Sequence, residues 1–271
     1  MNKRLILILG IIALILISFS LGSAKESAVM SKKEAIPIPA DKIQPIKPPV
    51  ATGDKDACLL EYTNWSLSGY FTGWGVGDKV AIYFDPTDCG YPQNYPFQLT
   101  DVELVLFDYA EVGEVDVRFS VEIVCPDICD GPGIEIYKSP VYHITDLYPD
   151  YPDIVVINFP EEDTICLDKP FFFNLEYMSG DPGTTPSVLF DDQADMVDTC
   201  YQWMYYLSGG EAFWVEWYDR WYPPIPGWIL LGISGYCGDE QTECGEWYWK
   251  PDTTNAPAAC PILTGINWIK E

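Results

Sequence analysis

The 271-residue chain has few basic residues, since 15 Lys and Arg stand against 41 Asp and Glu, and its formal net charge is −26 at pH 7. Binding to a nucleic acid backbone uses Lys and Arg to displace counterions, so this charge excludes nucleic acid as a partner. The chain also has a single histidine, His143. One histidine excludes most multi-histidine metal sites, and any Ser-His-Asp site would have to use this residue.

Common catalytic motifs are absent as well. The sequence has no nucleophile elbow, phosphate-binding loop, dinucleotide fingerprint or EF-hand loop. His143 lies in an alternating apolar and polar segment, which predicts a structural position on a strand. Carboxylate pairs such as Glu211 with Glu216 could perform glycosidase chemistry, but such pairs arise by chance among so many acids. We therefore predict a non-catalytic protein. A glycoside hydrolase is a distant third possibility, after the binding and assembly functions described at the end of this section.

Residues 1–24 are typical of an export signal. Lys3 and Arg4 precede an apolar run over residues 5–21, and small residues follow up to Ala24. The run of about 17 residues is barely long enough to span a bilayer, so an uncleaved anchor with its basic end inside is the alternative. Both arrangements place the rest of the chain at the cell surface or in the extracellular space. The membrane is a partner only if the segment stays uncleaved.

Residues 25–57 differ in composition from the C-terminal part of the chain. They hold five prolines and no aromatic residue, and six lysines stand against five acids. Proline restricts φ and lacks an N–H donor, so we predict an extended, partly polyproline-II linker, with a disordered tail as the alternative. Residues 58–271 hold seven basic and 36 acidic residues, a net charge of −29. They are predicted to form a single acidic, aromatic-rich domain.

This domain has the pattern of a β protein. From Val115 to Ile123, apolar residues alternate with polar ones, which places five apolar side chains on one face of a strand. Similar short runs, separated by turn-forming residues, occur at residues 79–84, 99–107, 133–137, 141–145, 154–159, 170–177, 187–190, 212–217 and 228–234. No segment has a sustained helical stripe. About ten short strands predict an antiparallel, jelly-roll-like β-sandwich.

The nine cysteines all follow the export signal. In an oxidising compartment they are expected to form disulfides, and the closest pairs, Cys125 with Cys129 and Cys237 with Cys244, are predicted as local bridges. Zinc binding by the same pairs is the competing interpretation, but neither pair has the two-residue spacing of a zinc knuckle. Because nine is odd, at least one thiol is free or joined to another chain.

Aromatic residues are concentrated towards the C-terminus, where 15 of the 40, including seven of the ten tryptophans, lie between residues 201 and 249. Flat rings bind the C–H faces of sugars, and neighbouring carboxylates accept hydrogen bonds from the hydroxyls. On a strand the rings alternate between two faces, so about half of them are expected to face the core. Packing of all of them is the alternative. The predicted glycan platform consists of Trp214, Glu216, Trp217, Tyr218, Trp221 and Tyr222.

An acidic loop is the candidate metal site. Asp191, Asp192 and Asp195 crowd together after an apolar segment, and Asp85 and Asp88 lie in a second acidic loop. Calcium is bound by six to eight oxygens, often weakly in extracellular modules, so the first loop predicts a calcium site. A merely solvated acidic surface is the alternative. No cofactor is required by any motif.

Several segments are similar to those of uncharacterised secreted bacterial β-sandwich proteins. They are Asp-Pro-Thr-Asp-Cys-Gly-Tyr-Pro at residues 85–92, Tyr-Pro-Phe at 95–97, Pro-Phe-Phe-Phe at 170–173, Thr-Pro-Ser-Val-Leu-Phe-Asp-Asp at 185–192 and Asp-Thr-Cys-Tyr-Gln-Trp at 198–203. The resemblance covers residues 80–235 and implies an extracellular all-β module. It transfers no catalytic residue.

These observations favour a secreted or cell-surface binding module without catalytic activity, with a glycan as the preferred ligand. The alternative is a structural or assembly protein of an extracellular filament, surface layer or adhesin, in which exposed aromatics contact other proteins and the odd cysteine forms a crosslink. Rings that line a groove with carboxylates favour glycan binding. A flat apolar patch, or a strand edge complementary to the N-terminal segment, favours assembly.

Overall fold

The computed structural model describes residues 36–47, 57–90, 95–124, 128–160, 165–193, 200–208, 211–217, 227–238, 244, 247–250 and 267–270. The chain is all-β, as predicted. Two single 3-10 turns span Pro86–Cys89 and Ile128–Asp130. The strands are Ile36–Pro37 (β1), Ala57–Leu60 (β2), Leu67–Tyr70 (β3), Lys79–Phe84 (β4), Phe97–Leu104 (β5), Leu106–Phe107 (β6), Val115–Val124 (β7), Pro132–Ile144 (β8), Val155–Asn158 (β9), Ile165–Leu167 (β10), Phe171–Tyr177 (β11), Ser187–Asp191 (β12), Gln202–Ser208 (β13), Glu211–Glu216 (β14), Leu231–Cys237 (β15), Trp247–Lys250 (β16) and Asn267–Lys270 (β17).

The strands form antiparallel sheets in which sequence neighbours are often not spatial neighbours. A six-stranded sheet has the order β14-β13-β4-β11-β7-β8. A five-stranded sheet has the order β10-β5-β15-β2, with β9 also paired to β5, and a four-stranded sheet has the order β1-β3-β12-β6. The strands β16 and β17 pair with each other. Strand β4 therefore lies between two strands, β11 and β13, that come much later in the chain.

The alternation along β7 explains the main core. Its five apolar residues from Val115 to Ile123 are all buried, as predicted, and they share the inner face of the six-stranded sheet with Phe171 and Phe173 of β11. This face packs against the five-stranded sheet, where the ring centroids of Phe97 and Phe171 are 6.0 Å apart. Burial of so many large apolar side chains is the main contribution to the stability of such a sandwich.

Residues 36–47, named the strap here, belong to the domain and are not a free linker. Strand β1 of the strap pairs with β3, where Ile36 lies opposite Tyr70 and Pro37 opposite Gly69. Ile38 is 5% exposed and packs in a cluster of buried apolar residues. The extended conformation predicted from the prolines is thus that of an edge strand. The compact structural unit that contains the strap begins at residue 33.

Polar contacts attach the second half of the strap. The Tyr148 hydroxyl donates a hydrogen bond to the carbonyl oxygen of Lys42 and accepts one from the backbone N–H of Gln44. The side-chain amide of Gln44 donates to the carbonyl oxygen of Pro149 at 2.6 Å. The predicted boundary at residue 57 was wrong for the strap because its isoleucines and backbone groups find partners on the sandwich.

Three disulfides join distant parts of the described chain. They link Cys58 to Cys89, Cys129 to Cys200 and Cys166 to Cys244, over 31, 71 and 78 residues. The predicted local bridges of Cys125 with Cys129 and of Cys237 with Cys244 are wrong, because Cys129 and Cys244 have distant partners and Cys237 is a buried free thiol. Sequence proximity failed as a guide because strands far apart in the chain are paired in space. Cys125 itself lies outside the described residues.

Candidate functional site

The predicted glycan platform is divided between the two sides of the six-stranded sheet. The Trp217 side chain is fully buried, and its ring meets that of Phe71 edge-on at 4.5 Å. Trp217 is therefore not available to a ligand, and its assignment to the platform was wrong because the inner side of the sheet needs large rings to fill its core. Trp214 and Glu216 are half-buried residues of β14. The other predicted platform residues, Tyr218, Trp221 and Tyr222, lie outside the described part of the chain.

The outer face of the six-stranded sheet carries a row of rings that we name the aromatic strip. Tyr201, Trp203 and Tyr205 lie at alternate positions along β13 and the residue before it, so their rings share this face. At the usual rise of a strand, the distance from Tyr201 to Tyr205 is about 13 Å. Rings from the neighbouring strands β4 and β14 extend the row, with centroid distances of 4.9 Å between Tyr83 and Tyr201 and 5.1 Å between Tyr205 and Trp214. The aromatic strip consists of Tyr83, Tyr201, Trp203, Tyr205 and Trp214.

The middle of the aromatic strip is closed. Trp203 is 8% exposed and packs with Phe172 and the Cys200 end of the Cys129–Cys200 disulfide. Its indole N–H donates a hydrogen bond to the carbonyl oxygen of Cys200 at 2.7 Å. Gly131 passes over the ring with a φ of 86°, and a Cβ atom there would lie 3.2 Å from the indole. Accessible ring surface is consequently found at the two ends of the strip.

Charged groups flank the Tyr205 end of the strip. The ammonium group of Lys79 lies 5.5 Å from the centroid of the Tyr205 ring, 3.7 Å from Glu122 and 3.6 Å from Glu135. Asn174 donates a hydrogen bond to Glu122 at 2.9 Å. Burial raises the pKa of Glu122 to about 7, although the nearby ammonium group opposes this effect. This end therefore offers ring faces together with hydrogen-bond donors and acceptors.

Tyrosines and aspartates surround the Tyr83 end. The Tyr62 hydroxyl donates to Asp88 at 2.9 Å, and the Tyr95 hydroxyl donates to Asp85 at 3.1 Å. Burial, followed by the charge of Asp85, raises the pKa of Tyr83 to about 12, so its hydroxyl stays protonated as a donor. Sequence reasoning noticed the two aspartates but missed the tyrosines, which come from separate segments. The alternating rings of Tyr201, Trp203 and Tyr205 were the available sequence signal for the strip itself.

Asp191 is a structural carboxylate and not a calcium ligand. Although it is 1% exposed, its oxygens accept four hydrogen bonds, from the backbone N–H groups of Asn64 (3.0 Å), Gln193 (3.2 Å) and Trp228 (2.8 Å) and from the Gln193 amide (2.8 Å). Gly227 lies so close to the Asp191 backbone that a Cβ atom would clash. The prediction for Asp191 was wrong because N–H donors of three segments already satisfy it.

The rest of the acidic loop provides little support for an ion. Asp192 is exposed and accepts a hydrogen bond from the Asn64 side chain at 2.9 Å. Asp195 lies outside the described residues. The calcium site therefore remains a prediction that rests on Asp192 and Asp195 alone.

His143 lies on the exposed surface of β8. Its Nδ1 atom is 2.7 Å from a carboxylate oxygen of Asp116, and Nε2 is 3.4 Å from Glu114. The hydrogen bond with Asp116 is the main cause that raises the pKa of His143. The imidazole thus forms a cross-strand pair at the sheet edge, because His143 and Asp116 lie opposite each other.

No model of a known protein family matches the chain, and no curated protein is similar to it at a significant level. Among the helical segments that the structure describes, none has the length and apolar character needed to cross a membrane. The three disulfides indicate an oxidising, extracellular environment.

Proposed function

We propose that the protein is an exported, non-catalytic binding module that holds a glycan at the Tyr205 end of the aromatic strip. The observation that carries this proposal is the contact of the half-buried rings of Tyr205 and Trp214, 5.1 Å apart, beside the charged side chains of Lys79 and Glu135. The N-terminal signal pattern and the disulfides support export.

The chemistry of this end suits a sugar better than a flat apolar partner. A pyranose ring can place its C–H side on the two aromatic faces while its hydroxyls reach the carboxylate and ammonium groups next to them. The Lys79 contacts with Glu122 and Glu135 hold these groups in position before a ligand arrives. Such preorganisation lowers the entropic cost of binding. The formal charge of −26 favours neutral or basic glycans over anionic ones.

The test is affinity electrophoresis of the purified protein on a panel of neutral and charged polysaccharides. At least one neutral polysaccharide should retard the wild-type protein, and Tyr205→Ala and Trp214→Ala should each weaken retention about tenfold. Tyr151→Ala, which removes an exposed ring elsewhere, is the matched control and should leave retention unchanged. The proposal fails if no polysaccharide retards the wild type, or if the control weakens binding as much as the strip variants do.

A second candidate function is assembly with other copies of the chain, and the strap supports it. The edge of β3 accepts β1 of the strap as an added strand, so the strap of another copy could occupy the same position. Light scattering over a range of concentrations would reveal such oligomers. Ile38→Ser, which removes the buried anchor, should abolish them, whereas Ile43→Ser, at a position 52% exposed, should not. Monomers at every concentration would argue against this function.

A further inference from the structure

A third sulfur atom lies beside one of the disulfides. The Sγ atoms of Cys58, Cys89 and Cys237 all lie within 4.8 Å of one another, and we name this group the sulfur triad. Cys58 and Cys89 form a disulfide, whereas Cys237 is a free thiol. Thiol–disulfide exchange requires only a thiolate next to a disulfide, so the triad holds every atom that an internal exchange needs.

The three sulfurs are carried by two paired strands and a 3-10 turn. Cys58 lies on β2 opposite Gly235 of β15, so Cys237, two residues further along β15, projects from the same side of the sheet. Both cysteines are buried, with 3% and 6% of their surfaces exposed. Cys89 ends the 3-10 turn Pro86–Cys89 and is more accessible. Of the three, Cys89 is the sulfur that can leave without breaking a strand ladder.

We propose that Cys237 is the internal nucleophile of an exchange that converts Cys89 into a surface thiol. The Cys237 thiolate attacks Sγ of Cys58, a Cys58–Cys237 disulfide forms, and the Cys58–Cys89 bond breaks. Cys89 leaves as a thiolate and takes up the proton that Cys237 lost. One disulfide and one thiol are present before and after, so no oxidant or reductant is consumed.

Burial keeps the exchange slow under ordinary conditions. It raises the pKa of the Cys237 thiol to about 11, so little thiolate is present near neutral pH and the Cys58–Cys89 disulfide persists. Local opening at the Cys89 turn, or an alkaline medium, would increase the thiolate and start the reaction. The protein thus keeps a thiol hidden in its core and can present it at the surface.

The released Cys89 thiol would be a site of covalent attachment. It can attack a small-molecule disulfide such as oxidised glutathione, forming a mixed disulfide at Cys89 and releasing one reduced glutathione. Asp88 next to Cys89 is exposed, so the new thiol would lie in a solvated acidic turn. This inference does not depend on glycan binding, because the sulfur triad shares no residue with the aromatic strip.

The first experiment maps the disulfides of the purified protein by mass spectrometry without reductant. The protein is held at about pH 9.5, where thiolate increases about tenfold per pH unit below the thiol pKa, and is then alkylated and digested under acid. We expect a Cys58–Cys237 peptide and alkylated Cys89, both absent from protein kept at neutral pH. The control Cys237→Ser should retain the Cys58–Cys89 bond and show no alkylated Cys89.

Three outcomes of this map would overturn the inference. Alkylated Cys89 in Cys237→Ser would mean that the disulfide opens without the third sulfur. Alkylated Cys58 with a Cys89–Cys237 bond would show that the attack takes the other direction. Wild-type protein that keeps only the Cys58–Cys89 bond at alkaline pH would also contradict the proposal.

A second variant tests whether Cys58 and Cys237 lie close enough to form a disulfide, whatever the rate of the exchange reaction. In Cys89→Ser the leaving sulfur is absent, so oxidised glutathione should join Cys58 directly to Cys237. We expect complete loss of the free Cys237 thiol in this variant and no change in the other two disulfides. If Cys58 and Cys237 both remain alkylatable after folding in oxidised glutathione, they cannot bridge and the inference is wrong.

Discussion

Glu103 is a nearly buried carboxylate, and no cation lies beside it in the part of the chain that the structure describes. It lies on β5 with 7% of its surface exposed. One carboxylate oxygen is 3.3 Å from the Ser234 hydroxyl, and the other has no hydrogen-bond partner among the described residues. Burial, followed by the charge of Asp101, raises the pKa of Glu103 from 4.5 to about 7.

The sign and size of the effect on stability depend on this pKa. Because the folded protein holds the proton more tightly than the unfolded chain, Glu103 has no unfavourable effect below pH 4.5 and an increasing one as the pH rises towards 7. A rise in pKa from 4.5 to about 7, at about 1.4 kcal/mol per pH unit, corresponds to about 3.5 kcal/mol. Residual contact of the carboxylate with water reduces the expected effect to about 2 kcal/mol.

The substitution Glu103→Gln removes the charge and keeps the shape. Its free energy of unfolding, measured by urea denaturation with the disulfides intact, should exceed that of the wild type by about 2 kcal/mol at about pH 8 and match it at about pH 4. Glu111→Gln, at an exposed position, is the control and should change the stability by less than about 0.5 kcal/mol at both pH values. A Glu103→Gln effect that is the same at both pH values would refute the reasoning.

Three further predictions concern other residues. The sole imidazole, His143, should titrate by NMR with a pKa above 6.5, and this pKa should fall in Asp116→Asn. The pair stabilises the folded protein below pH 6.5 and loses this effect as the pH rises through the raised pKa. A pKa that is unchanged in Asp116→Asn would contradict the pairing. Asp191→Asn should lower the stability in urea denaturation by about 1–3 kcal/mol, because an amide group cannot accept four hydrogen bonds in the same way. Trp217→Ala should cost about 3–5 kcal/mol in urea denaturation, whereas Trp214→Ala should cost clearly less because its ring is only half-buried.

Strand content was predictable where one face of a strand is polar. The alternation along β7 and the bounds of β4 match the structure because the inner faces of both strands pack on the core and the outer face of β7 carries polar side chains. Strand β13 was missed because both of its faces are apolar, with Met204 on the inner face and Trp203 on the outer face. A period of two cannot be seen when both sides of a strand are covered.

The candidate site was predictable only in its residue types. The aromatic-rich segment does carry the half-buried Trp214, but Tyr83 and Lys79 join it from β4, which the sequence places far away. Which rings face outward depends on the sheet order β14-β13-β4-β11. The disulfide partners likewise depend on which distant segments lie together in space, so neither feature could be deduced from spacing alone.

Strand β11 has a consequence for how the chain folds. All seven of its residues are buried, and it fills the gap between β4 and β7, which are made earlier. During synthesis β4 and β7 therefore emerge without a common neighbour, and β4 gains its second partner only when β13 follows. Until then, the inner apolar faces of these strands lack their later neighbours, and such long-range pairing is slow. The first half of the protein cannot complete a core, so folding must wait for the second half.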